Sequence, residues 1–162
     1  MANKIESYNQ LINKSLDDII KIVEKTNEKD IRWKPSESEW SIIQVLSHLN
    51  EATPYWLSEI ERVIDHPGSE WGRGLENEPR LAAVEQPDSL NLHEVIKEFK
   101  GLKQLVSAGL SKVSESQLEN ENPHRNFKRF GNKPILFIIE HFIDEHTANH
   151  YNQIQRNLSN LQ

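Results

Sequence analysis

The sequence predicts an all-α fold: a four-helix bundle with a long crossover between helices 2 and 3. Three observations carry this. Four stretches of roughly 20 residues or more space their apolar side chains three and four apart, which lines one face of a helix. The six glycines and seven prolines cluster between those stretches. No segment competes with them as a strand. Four helices of ~30 Å or longer close most simply as a bundle.

Composition sets the outer bounds. At 162 residues the chain is expected to form one domain over 1–162. A domain of that size buries roughly 70% of its unfolded surface. Hydrophobic residues make up 36%, charged residues 27%, and mean hydropathy is -0.70. No run approaches the ~18 apolar residues of a membrane span. The opening Met1-Ala-Asn-Lys-Ile-Glu-Ser lacks the apolar core of a signal peptide, so a cytoplasmic location is expected. The net charge of -6 argues against a nucleic-acid partner, which needs a concentrated positive face. With no cysteine there are no disulfides, no thiolate metal ligands and no cysteine nucleophile. A metal would have to be held by Asp, Glu or the seven histidines.

Each element has its own signal. Ile5, Tyr8, Ile12, Leu16, Ile19 and Val23 make residues 4–26 an amphipathic helix that fades in the polar stretch up to Asp30. Ser41-Ile-Ile-Gln44 reads as a capping box, with Trp40 and Val45 as its hydrophobic staple. Helix 2 then runs to about Ile64 and stops at His66-Pro67-Gly68. Residues 65–88, with three prolines and three glycines, read as a connection long enough to traverse the bundle, with a helical turn near Leu81–Val84. Asn91-Leu-His-Glu94 opens helix 3, which carries apolar residues from Val95 to Val113. Residues 114–133 read as a polar loop, and Pro134 suits the first position of helix 4, which extends to about Leu158.

On a wheel of 100° per residue, Ile135, Ile138, Ile139, Phe142 and Ile143 share one face of helix 4. His146 and His150 fall near its centre, with Asn149 and Gln153 on the same side. Four polar side chains on a buried stripe require partners, since an unsatisfied polar group costs on the order of 1–3 kcal/mol. His146 and His150, at i and i+4, have Cβ atoms ~5–6 Å apart, so both imidazoles can reach one ion. The same pair also reads as satisfied core histidines. His48, at the border of the apolar face of helix 2 beside Ala52 and Tyr55, is the candidate third ligand or a packed residue. Glu51, one turn on, reads as a base or as a solvated side chain. A Glu145 ligand competes with a solvent-facing Glu145. Arg125, Lys128, Arg129 and Lys133 form a basic patch that greets an anionic substrate or is simply solvated. His141 is expected to face solvent; it, His93, His66 and His124 receive no function.

Arg32-Trp-Lys-Pro35, Glu39-Trp-Ser-Ile-Ile-Gln-Val-Leu-Ser-His-Leu49 and Asp144-Glu-His-Thr-Ala-Asn-His-Tyr-Asn-Gln-Ile154 together resemble the DinB-like superfamily, which includes the YfiT-like proteins. Order and spacing fit across nearly the whole chain, and the HxxxHxxQI segment is the most specific piece. The resemblance implies a bundle with the long crossover and a divalent metal, zinc or nickel, held by His48, His146 and His150. Some relatives are S-transferases or isomerases that use low-molecular-weight thiols such as bacillithiol or mycothiol; others are described as metal-dependent hydrolases. It also implies a homodimer. Gln153, Asn149, Tyr55 and Glu51 are the expected neighbours of the metal or of a small-molecule substrate. The stretch His124-Arg-Asn-Phe-Lys-Arg-Phe-Gly131 departs from the family by being more basic. The function expected is a metal-dependent enzyme transferring a thiol to an electrophile. The alternatives are a metal-dependent hydrolase and a non-catalytic metal- or ligand-binding stress protein.

Overall fold

A computed structural model describes residues 3–161. Four long helical segments form the bundle: α1 (Lys4–Lys25), α3 (Ile42–Asp65), α5 (Leu92–Ser111) and a composite fourth. That fourth segment consists of α7 (Ile135–Phe137), a π-helical stretch (Ile138–Asp144) and α8 (Glu145–Ser159). The apolar positions read from the sequence point inward. Ile12, Leu16 and Ile19 of α1, Leu46 and Leu49 of α3, and Leu102 of α5 are fully buried.

Side-chain contacts fix the directions of the helices. Along α1 and α5, Asn9 meets Ser107, Asp17 meets Lys103 and Glu24 meets Lys100, so these two are antiparallel. Along α3 and α5, Asn50 donates to the Val95 carbonyl, Leu57 lies against Gly109 and Glu61 pairs with Lys112. Residue numbers rise together there, so α3 and α5 are parallel neighbours. A Cβ at Gly109 would approach Leu57 Cδ2 to 2.9 Å, so a glycine there permits the close approach. Parallel neighbours force the chain after α3 to return the length of a 24-residue helix, ~36 Å, before α5 can begin.

That return is the crossover. It contains α4 (Glu78–Glu85), longer than the single turn expected, and a 3-10 turn at Pro87–Ser89. Gln44 Nε2 and Ser47 Oγ of α3 donate to the Val84 and Ala83 carbonyls, which seats α4. Arg32, from the five-residue helix α2 (Glu28–Arg32), donates to the carbonyls of Pro87 and Leu90. The polar stretch after α1 therefore contains a short helix, capped by Asn27, instead of simply fading.

The loop expected over 114–133 is corrected in the same way. It holds a 3-10 turn (Glu115–Glu119) and a two-stranded antiparallel hairpin, β1 (Glu121–Pro123) with β2 (Asn132–Pro134), closing around the one-turn helix α6 (Phe127–Phe130). Gly131, at φ 65°, occupies the left-handed region that ends that turn. Three-residue strands that each end in proline carry no alternation to read. Trp71 stitches the crossover to this hairpin: its amide donates to the Pro123 carbonyl, its carbonyl accepts from Arg125, and its indole donates to the Asn122 carbonyl. Pro134 ends β2 and caps α7, one position earlier than expected. Among the described residues no helix is long and apolar enough to cross a membrane.

Candidate metal centre

His48 enters the bundle interior because the start of α3 is fixed. The Ser41 amide donates to Gln44 Oε1 at 2.9 Å and the Gln44 amide donates to Ser41 Oγ at 3.3 Å, the reciprocal box read from the sequence. Seven residues on, His48 is 4% exposed.

His146 and His150 are positioned by the π stretch. Its backbone amides bond five residues back, so each residue turns the chain by less than 100°. Over Ile138–Asp144 the following residues lag by roughly 100° relative to a regular helix. The apolar stripe that ends at Ile143 therefore continues through Thr147 and Ile154, both buried. His146, His150 and Gln153 rotate from the centre of the stripe to its flank, facing α3 and half-buried. The wheel reading is corrected for Asn149, which the lag carries onto the exposed surface, away from the other three. π-Segments in long helices occur frequently at functional sites, because they re-aim side chains without breaking the helix.

The three imidazoles converge. His48 Nε2 lies 3.0 Å from His146 Nε2, and His150 Nε2 lies 3.1 Å from the same atom. One ligand nitrogen from each falls within 4.8 Å of the others, a group that could hold a metal ion. Two ligand nitrogens each ~2.0–2.1 Å from one ion stand no more than ~4 Å apart, so the two short separations suit a shared ion. Burial keeps these rings neutral, with their lone pairs available. The His48 pKa is lowered to about 3, first by burial and then by the positive charge that His150, Arg80 and Arg73 would set against it. Burial pushes His146 well below the usual range. It also lowers His150, where the bond to Gln153 works in the opposite direction.

Gln153 Oε1 accepts from His150 Nδ1 at 2.7 Å. That bond fixes the proton on Nδ1 and leaves Nε2 free to ligate, the role outer partners play at metal sites. Among the described residues the His48 Nδ1 is buried without a hydrogen-bond partner, so its ring relies on what its Nε2 meets to offset its desolvation. Trp40 forms a wall: it stacks on His150 with ring centroids 6.1 Å apart and an interplanar angle of 13°, and sits 4.9 Å from His48. Asn157 of α8 holds it in place by donating to its carbonyl.

The other expected neighbours have structural tasks. Both Glu51 carboxylate oxygens receive Arg73, at 2.8 and 2.6 Å. Arg73 also lies 4.0 Å above the Tyr55 ring, and its own side chain is 7% exposed. Burial, followed by Glu59, raises the Tyr55 hydroxyl to about 12. Glu59 in turn accepts from Arg62 and from the Gly72 amide. Glu51, Tyr55 and Glu59 thus form one ridge of α3 that pins the crossover over the triad. Glu145 bonds His141 on the exposed face, as that histidine's position implied.

Nothing in the sequence alone marks Arg73, Arg80 or Trp40 as neighbours of the triad. Arg73 and Arg80 lie in an aperiodic crossover, and only the fold brings them to the triad. A chamber of about 170 Å³ opens on His48 and His146, lined also by Ala52, Trp56, Phe142, Leu75, Arg73 and Arg80. It is mostly apolar. Among the described residues no carboxylate lines it.

The sequence profile of the DinB superfamily matches residues 11–154. No curated protein matches the chain. The solved structure of YfiT from Bacillus subtilis, described as a probable metal-dependent hydrolase with an unusual four-helix bundle topology, superimposes with a TM-score of 0.73 at 11% identity, over 98% of this chain and 91% of that one. TT2238, described as a four-helix bundle protein, gives a TM-score of 0.65 at 14% identity, over 94% of this chain and 99% of that one. At these identities the likeness is one of fold.

Proposed function

The chain belongs to the DinB superfamily, and from that premise we propose that it is a metal-dependent enzyme that transfers a low-molecular-weight thiol to an electrophile. His48, His146 and His150 hold the divalent metal, with zinc or nickel as the expected ion. The observation that carries the reading is the convergence of three neutral Nε2 atoms at 3.0 and 3.1 Å beside a chamber. Three protein ligands leave a coordination position open, as catalytic sites do. When bound there, a divalent metal lowers the pKa of a coordinated thiol or water and so supplies a nucleophile at neutral pH.

The surroundings favour sulfur over water. Hydrolysis calls for a base to manage the proton of water, and the carboxylate next along α3, Glu51, is committed to Arg73 by two short bonds. A thiol, with a free pKa of ~8.5 against ~15.7 for water, would ask less of such a base. Trp56, Phe142, Ala52 and Leu75 offer apolar contact to an electrophilic carbon. In the transfer an S–C bond forms, the bond from that carbon to its leaving group breaks, and the thiol proton ends on the leaving group. Gln153 holds the His150 tautomer and Trp40 shields the triad from water.

Hydrolysis is the second reading, favoured by the description of YfiT as a probable metal-dependent hydrolase. A panel of thiols with an aromatic or epoxide electrophile tests the first reading. The expected result is a metal-dependent rate that His48→Ala removes. A rate on esters or amides alone would move the assignment to hydrolase, and tight metal binding with no turnover would leave a non-catalytic module.

A further inference from the structure

A second, larger cleft of about 660 Å³ adjoins the chamber, and Arg73, Gly74, Leu75 and Phe142 belong to both linings. Its far side is the hairpin tip: His124, Arg125, Asn126, Arg129 and Phe130. The route from the triad therefore runs past two apolar side chains and ends on two arginines. We propose that the substrate of this site is a small organic anion whose carboxylate or phosphate docks between Arg125 and Arg129 while its reacting end lies beside His48 and His146. The inference rests on the reading of the triad as a metal centre and names the class of molecule that centre serves.

Charge placement carries the argument. The chain has a net charge of -6, yet this cleft concentrates cations. Of the three arginines in its lining, Arg73 is balanced by Glu51. Arg129 lies over the Phe130 ring, 5.1 Å from its centroid, with no carboxylate partner among the described residues. Glu76 is the single acid in the cleft lining, at 3.5 Å from Arg125, with side chains 76% and 45% exposed respectively. A cleft of one dominant sign focuses its field and raises the local concentration of the opposite ion.

The arginines also stand on a fixed platform. The Arg125 amide donates to the Trp71 carbonyl at 2.9 Å, the His124 amide to the Gly131 carbonyl at 3.0 Å and the Arg129 amide to the Asn126 carbonyl at 3.1 Å. The His124 ring accepts the Asn126 amide at 2.8 Å and packs edge-on against the buried Trp71. The backbone that carries Arg125 and Arg129 is thus fixed at one end of the cleft while their side chains are exposed, and guanidinium groups grip a planar or tetrahedral oxyanion through paired N–H donors.

The test compares 6-mercaptohexanoate with uncharged 6-mercaptohexanol, a matched pair whose long chain carries the carboxylate away from the sulfur and closes no small chelate ring on the metal. Both are titrated calorimetrically into zinc-loaded protein. 6-Mercaptohexanoate is expected to bind roughly tenfold tighter, in line with charge-assisted contacts at a partly exposed site. Arg125→Gln combined with Arg129→Gln should erase that advantage and leave 6-mercaptohexanol unchanged. Glu76→Gln, which removes the competing acid, should enlarge it. Equal affinities in the native protein, an advantage that survives the double substitution, or no binding of 6-mercaptohexanoate overturns the inference. If 6-mercaptohexanol binds equally well without zinc, the metal-centre reading fails. The anion comparison still decides the inference in that case.

Discussion

Removing the partner of His150 probes the site without touching a proposed ligand. Gln153→Leu keeps the approximate size of the side chain and deletes the acceptor 2.7 Å from His150 Nδ1. The imidazole then loses the bond that keeps its proton on Nδ1 and its orientation toward His146. A neutral hydrogen bond contributes about 0.5–1.5 kcal/mol to stability. At a metal ligand the consequence is larger, because orientation and basicity fall together: loss of an outer partner costs about 10–100-fold in affinity, or about 1.4–2.7 kcal/mol. Gln153→Glu offers the opposite change. It places a carboxylate within the same reach, and a charge-assisted bond is roughly twice as strong. Zinc affinity, measured by competition with a chromophoric chelator, should weaken about 10–100-fold in the leucine variant and hold or tighten in the glutamate variant. Circular dichroism should match the native protein for both. A zinc affinity in Gln153→Leu within about threefold of native, with the helices intact, would refute the reasoning; so would equal weakening by both substitutions.

Two further outcomes follow from the packing and the charges. Gly72 has φ 99°, and a Cβ there would stand 2.5 Å from His124 Nε2, so Gly72→Ala should cost about 1–3 kcal/mol in thermal unfolding. Part of that loss should be recovered by adding His124→Ala, whereas purely additive effects would mean the two do not meet. In metal-free protein His48 has its folded pKa lowered to about 3 from an ordinary 6.5, so below 6.5 the unfolded chain binds the extra proton. Its contribution is complete above pH 6.5 and is lost as pH falls toward 3, by about 2 kcal/mol at pH 5. Urea unfolding in a chelator at pH 7 and pH 5 should show this, with the difference reduced in His48→Gln; equal stability at the two values would contradict it.

Periodicity made the bundle legible. The capping box at Ser41, the stop at His66 and the apolar stripes all survive in the structure, and the length of the crossover is explained by the parallel run of α3 and α5. The π stretch was invisible, because Ile135 to Ile143 gives the same apolar pattern with either hydrogen-bonding scheme. That is why a regular wheel puts Asn149 on the buried stripe although it is exposed, and leaves out Thr147 although it is buried. The histidines were legible by spacing on helix 4 and, for His48, by family pattern. Arg73, Arg80 and the hairpin arginines owe their place to tertiary contacts: Glu51 and Glu59 reach the crossover, and Trp71 joins it to a hairpin whose strands are three residues long. Such contacts leave no local signature.

The central claim is that His48, His146 and His150 together hold one divalent metal ion. Elemental analysis of protein purified without a histidine tag, before and after dialysis against zinc or nickel, tests it most directly when His146→Ala is carried in parallel. His146 is the informative choice because its Nε2 is the atom that both other rings approach. The account predicts one ion per native chain and none retained by His146→Ala, with helical circular dichroism preserved, since all four long helices bury apolar stripes that need no metal. Native protein that takes up no stoichiometric metal, or a folded His146→Ala that retains one ion per chain, would contradict it.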